Sequence, residues 1–310
     1  MQVEEELAKV SPEKDMVLAI GVFDGVHRGH QYLISQLMDS ARQQGLQGGV
    51  VTFRQHPRGV LSSRTRLPFL TSLPEKVSLL KKEGVDEVVA LSFTAELAQL
   101  SAAQFTGLLK KYLRMRGLVV GPDFALGRER EGDIDNLRRL GQEMDFTITV
   151  VPPRKINGEV VSSTAIRNAL AAGDIGRVIA LTGRPFSLQG QVTAGVGRGS
   201  GLSFPTANLE IDPGQAMPAD GVYVTWAYVD GKAYPSMTNI GRRPTFNDDG
   251  RTVETYILDY QGNLYGHELR IDIVERLRGE KRFDTAEELK KQIAEDVKQG
   301  VAILNSRGKS

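Results

Sequence analysis

The stretch Gly21-Val22-Phe23-Asp24-Gly25-Val26-His27-Arg28-Gly29-His30 decides the fold of the first half of the chain. It follows an apolar run at residues 16–20. It precedes a segment whose apolar residues share one helical face, namely Leu33, Ile34, Leu37, Met38 and Ala41. The pattern predicts a strand, a tight glycine turn and a helix. Because the first turn of a helix has free N–H groups and a positive dipole end, this turn suits a phosphate.

Two histidines lie three residues apart at the predicted start of this helix. His27 and His30 would both face a bound anion, and Gly29 between them leaves room for a nucleotide to come close. The combination indicates nucleotidyl transfer. Two alternatives stay open. The first is that the two histidines bind a metal ion, although the chain has only two further histidines, His56 and His267. The second is that both histidines have a purely structural role.

The composition limits the class of protein. At 310 residues the chain has room for one large or two medium domains. Its 39 basic and 38 acidic residues give a net charge of +1, which indicates no nucleic-acid partner. The absence of cysteine excludes disulfides and thiolate catalysis and suits a reducing cytoplasm. Since no signal-peptide pattern and no apolar run of ~20 residues occurs, we expect a soluble cytoplasmic protein with no membrane contact and no implied protein partner.

Strand-like and helical patterns alternate up to about residue 183. This alternation predicts an α/β fold with a parallel, Rossmann-like sheet covered on both faces, whose ligands bind at the carboxyl ends of the strands. The predicted strands are 16–22, 48–53, 86–92, 117–121 and 146–151, and the predicted helices are 30–44, 74–83, 101–114, 133–143, 163–171 and 175–182.

The pattern changes after Gly183-Arg184-Pro185. Short strand-like runs separated by glycine or proline turns predict an antiparallel barrel. These runs are 186–195, 220–230, 233–240, 252–260 and 268–275. Thr285 and Glu288 form a capping-box pattern, and a helix with one apolar face follows, through Leu289, Ile293, Val297 and Leu304. We therefore expect two domains, residues 1–184 and 185–310.

Two further motifs of the first half are candidates for the same site. Asp123 and Phe124 end a predicted strand, where Asp123 could contact the adenine or ribose of a nucleotide, although Gly-Pro-Asp is also ordinary turn chemistry. Ser163, Thr164 and Arg167 open a predicted helix and could bind a polyphosphate through hydroxyl and guanidinium groups. Simple helix capping with a solvated arginine is the alternative.

A glycine-rich loop, Gly195-Val-Gly-Arg-Gly-Ser-Gly201, dominates the second half. It matches neither standard nucleotide-binding fingerprint, but its N–H groups could wrap phosphates; the candidate residues are Gly197, Arg198, Gly199 and Gly201. Thr206 and Asn208 alternate on an extended segment, so both oxygens could bind a phosphate-bridging Mg²⁺. The alternative is a hairpin tip followed by a strand.

Glu254 lies in a strand pattern rich in β-branched and aromatic residues. It could project into the barrel mouth as a general base toward a substrate hydroxyl. A solvent-facing strand glutamate is the alternative. The arginine-rich stretch 276–282 has the composition of ordinary solvated surface, and we assign it no partner.

Taken together, these motifs resemble the family of prokaryotic bifunctional riboflavin kinase/FMN adenylyltransferases, also called FAD synthetases. The resemblance covers essentially the entire chain, and the segment 204–208 is its most diagnostic part. The motifs that carry it are Gly21-to-His30, Thr52-Phe53 with His56-Pro57, Leu70-Thr71 with Glu75-Lys76, Gly121-to-Phe124 with Gly127, Ser162-to-Arg167, Gly190, Gly195, Phe204-to-Asn208, Gly221-Val222-Tyr223, Asn239-Ile240-Gly241, Arg243-Pro244-Thr245, Glu254, Leu264-Tyr265-Gly266 and Leu277-Arg278.

The resemblance implies a nucleotidyltransferase α/β domain followed by a six-stranded flavokinase barrel. It implies ATP as co-substrate, Mg²⁺ as cofactor, and riboflavin and FMN as substrates. For the first half it implies that His27 and His30 stabilise charge at the α-phosphate, that Gly21, Phe23, Gly29 and Asp123 contact the nucleotide, and that His56 and Phe124 contact the flavin. It implies that Ser163, Thr164 and Arg167 contact the outer phosphates. For the second half it implies that Thr206 and Asn208 bind Mg²⁺ and that Glu254 is the base.

Three positions depart from the family pattern. Gln55 replaces a proline, Leu126 replaces an aromatic residue and Tyr256 stands where histidine is common. None of them removes a proposed catalytic group. Two other functions remain as alternatives: an adenylyltransferase with a different acceptor fused to a non-catalytic barrel, and a flavin- or nucleotide-sensing binding protein.

Overall fold

The chain folds into two compact units, Met1–Ser163 and Thr164–Ser310. The computed structural model describes residues 1–61, 67–193, 204–242 and 251–307. The domain boundary that we predict near residue 184 lies within the second unit and stays a prediction. Within the described part of the chain, no helix combines the length and the apolar character needed to cross a membrane.

A five-stranded sheet forms the centre of the first unit, and all of its paired strands are parallel. Its strands run in the order β3-β2-β1-β4-β5. This arrangement confirms the predicted parallel sheet. The strands are β1 (Met16–Ile20), β2 (Gln47–Phe53), β3 (Glu87–Leu91), β4 (Met115–Val120) and β5 (Thr147–Val150).

The faces of this sheet are covered by helices, as predicted. Strand β1 alternates between two apolar clusters: Leu18 packs with Leu109 on one face, and Val17 packs with Ile34 on the other. A strand buried on both faces therefore reads as a continuous apolar run in the sequence. The helices are α1 (Gln2–Ala8), α2 (Arg28–Gln44), α3 (Pro57–Leu61), α4 (Leu73–Lys82), α5 (Ala95–Gln99), α6 (Ala102–Leu113) and α7 (Ile134–Met144), and a small antiparallel pair, β6 (Lys155–Ile156) and β7 (Glu159–Val160), precedes the end of the unit.

The second unit is a closed antiparallel barrel with helices on its outside. Its strand order is β10-β11-β12-β9-β8-β13, which confirms the six-stranded barrel implied by the family resemblance. Its elements are α8 (Ser163–Ala172), which begins at the boundary of the units, α9 (Ile175–Thr182), β8 (Phe186–Thr193), β9 (Ala207–Ile211), β10 (Gly221–Val229), β11 (Lys232–Arg242), β12 (Arg251–Ile257), β13 (Glu268–Arg278) and α10 (Ala286–Arg307).

Inside the barrel, a cluster of hydroxyl groups lies among buried apolar side chains, and part of the outer face packs against a helix. On the inside, the fully buried Thr225 Oγ1 lies 2.7 Å from Ser236 Oγ and 2.9 Å from Thr238 Oγ1. On the outside, Val224 and Met237 pack in one cluster with Leu304 of α10. Since side chains alternate along a strand, this assignment fixes which face each neighbouring residue presents.

The C-terminal helix is capped almost as predicted. Glu288 N–H donates to Thr285 Oγ1 at 3.2 Å, which is one half of the capping box. The Glu288 carboxylate, however, accepts from the backbone N–H of Asp284, also at 3.2 Å, one residue earlier than the motif requires. Leu304 is buried, and Val297 packs against the same cluster, which confirms the predicted apolar face.

Candidate active sites

The first candidate site is the loop between β1 and α2. The helix begins at Arg28, two residues earlier than predicted, so His27 is its N-cap. His30 N–H donates to His27 Nδ1 at 3.3 Å, and one of the helix N–H groups that we expected to face a phosphate is therefore already used. The two imidazole rings stack with their centroids 3.6 Å apart and an interplanar angle of 15°. The rings of His27 and His30 thus lie face to face at the start of α2.

The backbone of this loop is strained. Phe23 and Val26 have φ angles of 50° and 35°, a left-handed region that L residues rarely adopt. Such residues cost on the order of 1–3 kcal/mol each and persist only where the surroundings hold them. The buried Asp24 carboxylate supplies part of that support, because its Oδ1 accepts from the N–H groups of Leu70 at 2.8 Å and Thr71 at 3.2 Å.

The two glycines near this loop that we predict to bind nucleotide, Gly21 and Gly29, also stand in tightly packed positions. A Cβ on Gly29 would lie 3.1 Å from the His27 ring and 3.2 Å from the Val161 carbonyl oxygen. A Cβ on Gly21 would lie 3.1 Å from the Phe23 ring. Glycine at these positions therefore lets the aromatic and imidazole rings of the loop pack closely.

The motif at the start of α8 contacts the same loop through its first residue. Ser163 Oγ donates to the carbonyl oxygen of Asp24 at 2.9 Å. The hydroxyl that we assigned to a phosphate is therefore engaged with the loop backbone. Thr164 and Arg167 follow on the same helix and belong to the second unit, and their phosphate contacts stay predictions.

A cavity of about 370 Å³ opens beside this loop, at the carboxyl ends of β1, β2 and β4. It brings together four of the predicted site residues: Gly21, His56, Asp123 and Phe124. Its walls are largely apolar and aromatic, and its volume falls within the range usual for small-molecule sites. The residues that line it also include Ile20, Val22, Phe53, Phe93, Leu97, Phe105, Leu126 and Arg130.

Arg130 is a lining residue that the sequence reasoning missed. Its Nη2 donates to the carbonyl oxygen of Asp123 at 2.9 Å. Both Glu129 and Arg130 have positive φ angles, 54° and 60°. The arginine lies seven positions after Asp123, at the end of an irregular 3-10 turn (Arg128–Arg130), so no helical or strand period could link the two positions in advance.

The second candidate site is a cavity of about 360 Å³ between the outer face of the barrel and α10. Thr206, Asn239 and Glu254 line it. In the sheet register, Glu254 is paired with Asn239 on one side and Asn208 on the other. Its neighbours Val253 and Thr255 are buried and face the barrel interior. Glu254 therefore faces a cavity outside the wall, and our interpretation that it projects into the barrel mouth is wrong.

The proposed metal-binding residues, Thr206 and Asn208, lie just before and within β9, which pairs with β12, the strand that carries Glu254. Thr206 lines the cavity, and Asn208 is two residues further along, in register with Glu254. Side chains two residues apart on an extended segment share a face, so hydroxyl, amide and carboxylate oxygens gather here. The glycine-loop candidates Gly197, Arg198, Gly199 and Gly201 lie outside the described residues.

An ion pair fixes the helix over this cavity. Arg278, on β13, donates from Nη2 to Asp296 Oδ2 at 2.7 Å and from Nε to both carboxylate oxygens at 3.1 Å. Asp296 is buried on α10, and Gln292 donates to its Oδ1. Arg276 Nη2 donates to the carbonyl oxygen of Asp220. The stretch 276–282 is therefore not simply solvated surface, because at least two of its arginines are engaged within the unit.

The chain is similar to known proteins over nearly its whole length. The family model described as FAD synthetase matches residues 9–165, and the model described as riboflavin kinase matches residues 182–304. Two curated bifunctional riboflavin kinase/FMN adenylyltransferases are each 38% identical to the chain: the Pseudomonas fluorescens protein over 96% of both chains, and the Escherichia coli K12 protein over 92% of both. A solved structure described as a macrolide-efflux protein from Streptococcus pneumoniae has a TM-score of 0.88 at 29% identity, with 96% of each chain covered.

Proposed function

The chain belongs to the family of bifunctional riboflavin kinase/FMN adenylyltransferases, and we propose that each of the two cavities described above serves one of the two reactions. The enzyme phosphorylates riboflavin to FMN with ATP and adenylates FMN to FAD with ATP. The assignment rests on where the two cavities lie in the chain. One cavity lies among residues matched by the FAD synthetase model, and the other among residues matched by the riboflavin kinase model.

In the first unit we assign adenylyl transfer. A phosphate oxygen of FMN attacks the α-phosphorus of ATP, the bond from that phosphorus to the bridging oxygen breaks, and pyrophosphate leaves. His27 and His30 would stabilise the charge on the α-phosphate, and Gly21, Phe23, Gly29 and Asp123 would contact the nucleotide. His56 and Phe124 would contact the flavin, and Ser163 would contact the outer phosphates. Thr164 and Arg167, from the same sequence motif, keep their predicted role as phosphate-binding residues. The gathering of Gly21, His56, Asp123 and Phe124 around one cavity supports these roles.

In the second unit we assign phosphoryl transfer. Glu254 would accept the proton of the ribityl 5′-hydroxyl, whose oxygen attacks the γ-phosphorus of ATP, and ADP leaves. A carboxylate that faces an apolar cavity beside polar side chains suits this role, because a base must lie within hydrogen-bond reach of the hydroxyl. Gly197, Arg198, Gly199 and Gly201 would contact the phosphates of this ATP.

Thr206 and Asn208 are the residues that would hold Mg²⁺. Their oxygens match the hard ligands that this ion prefers, and few protein ligands suffice when substrate phosphates complete the shell. Their shared face and the register of Asn208 with Glu254 fit such a site. When bound, the ion would neutralise charge on the phosphates during transfer. The wall formed by β11 and β12, which carries Asn239 and Glu254, would hold the riboflavin hydroxyl against Glu254.

Incubation of the purified protein with riboflavin, ATP and Mg²⁺, followed by chromatography, tests the proposal. We expect FMN to appear first and FAD to follow. A screen of other acceptors with ATP distinguishes an adenylyltransferase of different specificity. Tight flavin binding without any turnover would identify a binding protein instead.

We also propose that the protein acts in the cytoplasm, where ATP and its flavin substrates are available. The lack of cysteine suits a reducing compartment. Neither reaction requires nucleic acid, a membrane or a protein partner. Cell fractionation with an antibody against the chain tests the location.

A further inference from the structure

Lys76 is a charged residue with almost no contact with solvent. It lies on α4, and only 5% of its surface is exposed. Lysine is seldom buried to this extent unless its ammonium group is paired. Here Nζ donates to two backbone carbonyl oxygens, that of Phe53 at 2.8 Å and that of Val22 at 3.0 Å.

Those two carbonyls belong to different parts of the first site. Val22 lies in the strained loop that follows β1, and Phe53 is the last residue of β2. Both residues line the cavity of the first unit. Thr52, on β2, adds a second link, because its Oγ1 also donates to the carbonyl oxygen of Val22 at 3.0 Å. The Lys76 ammonium therefore joins the loop to the sheet directly at the cavity wall.

The same helix region supports the loop at a second point. Gly25 N–H donates to Thr71 Oγ1 at 3.1 Å, next to the contacts between Asp24 and the backbone of Leu70 and Thr71. The residues just before and within α4 thus hold three successive parts of the loop: Val22, Asp24 and Gly25. Two of the loop residues between Val22 and His27 have strained backbones that need such support.

Stability alone does not account for a lysine at this position. Burial lowers the pKa of Lys76 to about 8, and the nearby Asp24 carboxylate only partly offsets that effect. An apolar side chain of similar length avoids the cost of burying a charge, and such replacements are often neutral or stabilising. What an apolar residue cannot do is hold the two carbonyls in place.

We infer that Lys76 is a positioning residue for adenylyl transfer, which fixes the loop after β1 against the end of β2 so that His27, His30 and the cavity wall meet the substrates in one geometry. The inference rests on the proposed assignment of FMN adenylylation to the first unit. Lys76 acts through Val22 and Phe53. A displacement of about 1 Å in a reacting group can cost 10²-fold in rate, so loss of this link is expected to reduce turnover.

The test compares Lys76→Met with the matched variant Thr52→Val in the full-length enzyme. Lys76→Met removes both carbonyl contacts but keeps the length of the side chain, whereas Thr52→Val removes one contact to Val22 and leaves Lys76 in place. For Lys76→Met we expect kcat for FAD formation from FMN and ATP to fall roughly 10- to 100-fold, with KM for FMN changed far less. Riboflavin phosphorylation should stay within about twofold of the parent, and Thr52→Val should lose less than Lys76→Met.

A third variant, Lys76→Gln, keeps an N–H donor without the charge. We expect it to recover part of the kcat lost in Lys76→Met. If Lys76→Met keeps FAD formation within about twofold of the parent, or loses both activities equally, the inference is overturned. His30→Ala in the same assay distinguishes a failure of the inference about Lys76 from a failure of the proposed function. A loss in His30→Ala without a loss in Lys76→Met overturns only the role of Lys76, whereas a parent enzyme that forms no FAD overturns the proposed function as well.

Discussion

His27 and His30 stack at the end of the loop whose first residues, Gly21 and Val22, line the cavity of the first unit. Buried contacts of Asp24 help to fix the conformation of this loop. Removing a group that stabilises transition-state charge commonly costs about 2.7–4 kcal/mol. We therefore expect His30→Ala to lower FAD formation from FMN by roughly 100-fold or more. The rate at which this variant forms FMN from riboflavin, measured by chromatography, should not change. The exposed His267 provides a control, because His267→Ala should leave FAD formation intact.

Glu254 is the corresponding residue of the second unit. In Glu254→Gln the side chain keeps its size but loses the ability to take a proton, so riboflavin phosphorylation should fall by about 10²-fold. Adenylylation of supplied FMN should be spared. The exposed Glu268, at the start of β13, serves as a matched control through Glu268→Gln. An unchanged phosphorylation rate in Glu254→Gln would exclude Glu254 as the base.

The buried lysine also predicts how stability depends on pH. Below pH 8 the folded chain carries Lys76 charged; between about 8 and the ordinary pKa of 10.5 the folded state releases the proton while the unfolded state keeps it. Because the unfolded state then binds more protons, this residue makes stability rise with pH in that window. The free energy of unfolding of the parent, relative to Lys76→Met, should increase by about 2 kcal/mol between pH 7 and 9.5. Urea titrations of both proteins at the two pH values measure it, and no relative change would contradict the lowered pKa.

At the scale of elements, the contact between β13 and α10 closes the second cavity. In Asp296→Asn the buried carboxylate that pairs with Arg278 is neutralised, and breaking a buried pair on one side costs roughly 3 kcal/mol. We expect a lower unfolding temperature and a raised KM for riboflavin, because α10 supplies one wall of that cavity. Asp284→Asn, just before the same helix and exposed, is the control. Equal effects of both substitutions would show that the pair with Arg278 contributes nothing specific.

Elements with a clear hydrophobic period could be predicted from the sequence, and short or irregular ones could not. The strands of the parallel sheet and α2, α4, α6 and α7 follow their apolar patterns closely. Helices α1, α3 and α5 have five to seven residues, too few to repeat a helical period. Strand β9 is the exception, since we predict it only as an extended segment. Its five residues do alternate between apolar Ala207, Leu209 and Ile211 and polar Asn208 and Glu210, so a short strand pattern was present.

The same contrast holds within the candidate sites. The sequence could predict that His27 and His30 share the start of a helix, since a local pattern determines it. It could not predict that Glu254 faces outward, because that depends on closure of the barrel and on where α10 packs. Nor could it single out the contacts of Lys76, which join residues 54 and 23 positions apart in the chain.

For the whole molecule, the central claim is that two independent sites carry out successive reactions. Each half of the chain matches one family model, and in its described part a cavity is lined by candidate residues of that half. If the claim is correct, a defect in one site leaves the other complete. FMN released by one protein molecule can then be used by another.

Mixing the two site variants tests this claim most directly. With riboflavin and ATP, His30→Ala alone should stop at FMN, and Glu254→Gln alone should form little FMN and therefore little FAD. An equal mixture of the two variants should form FAD, with FMN accumulating first. A mixture that forms no more FAD than either variant alone would contradict the existence of two separate sites.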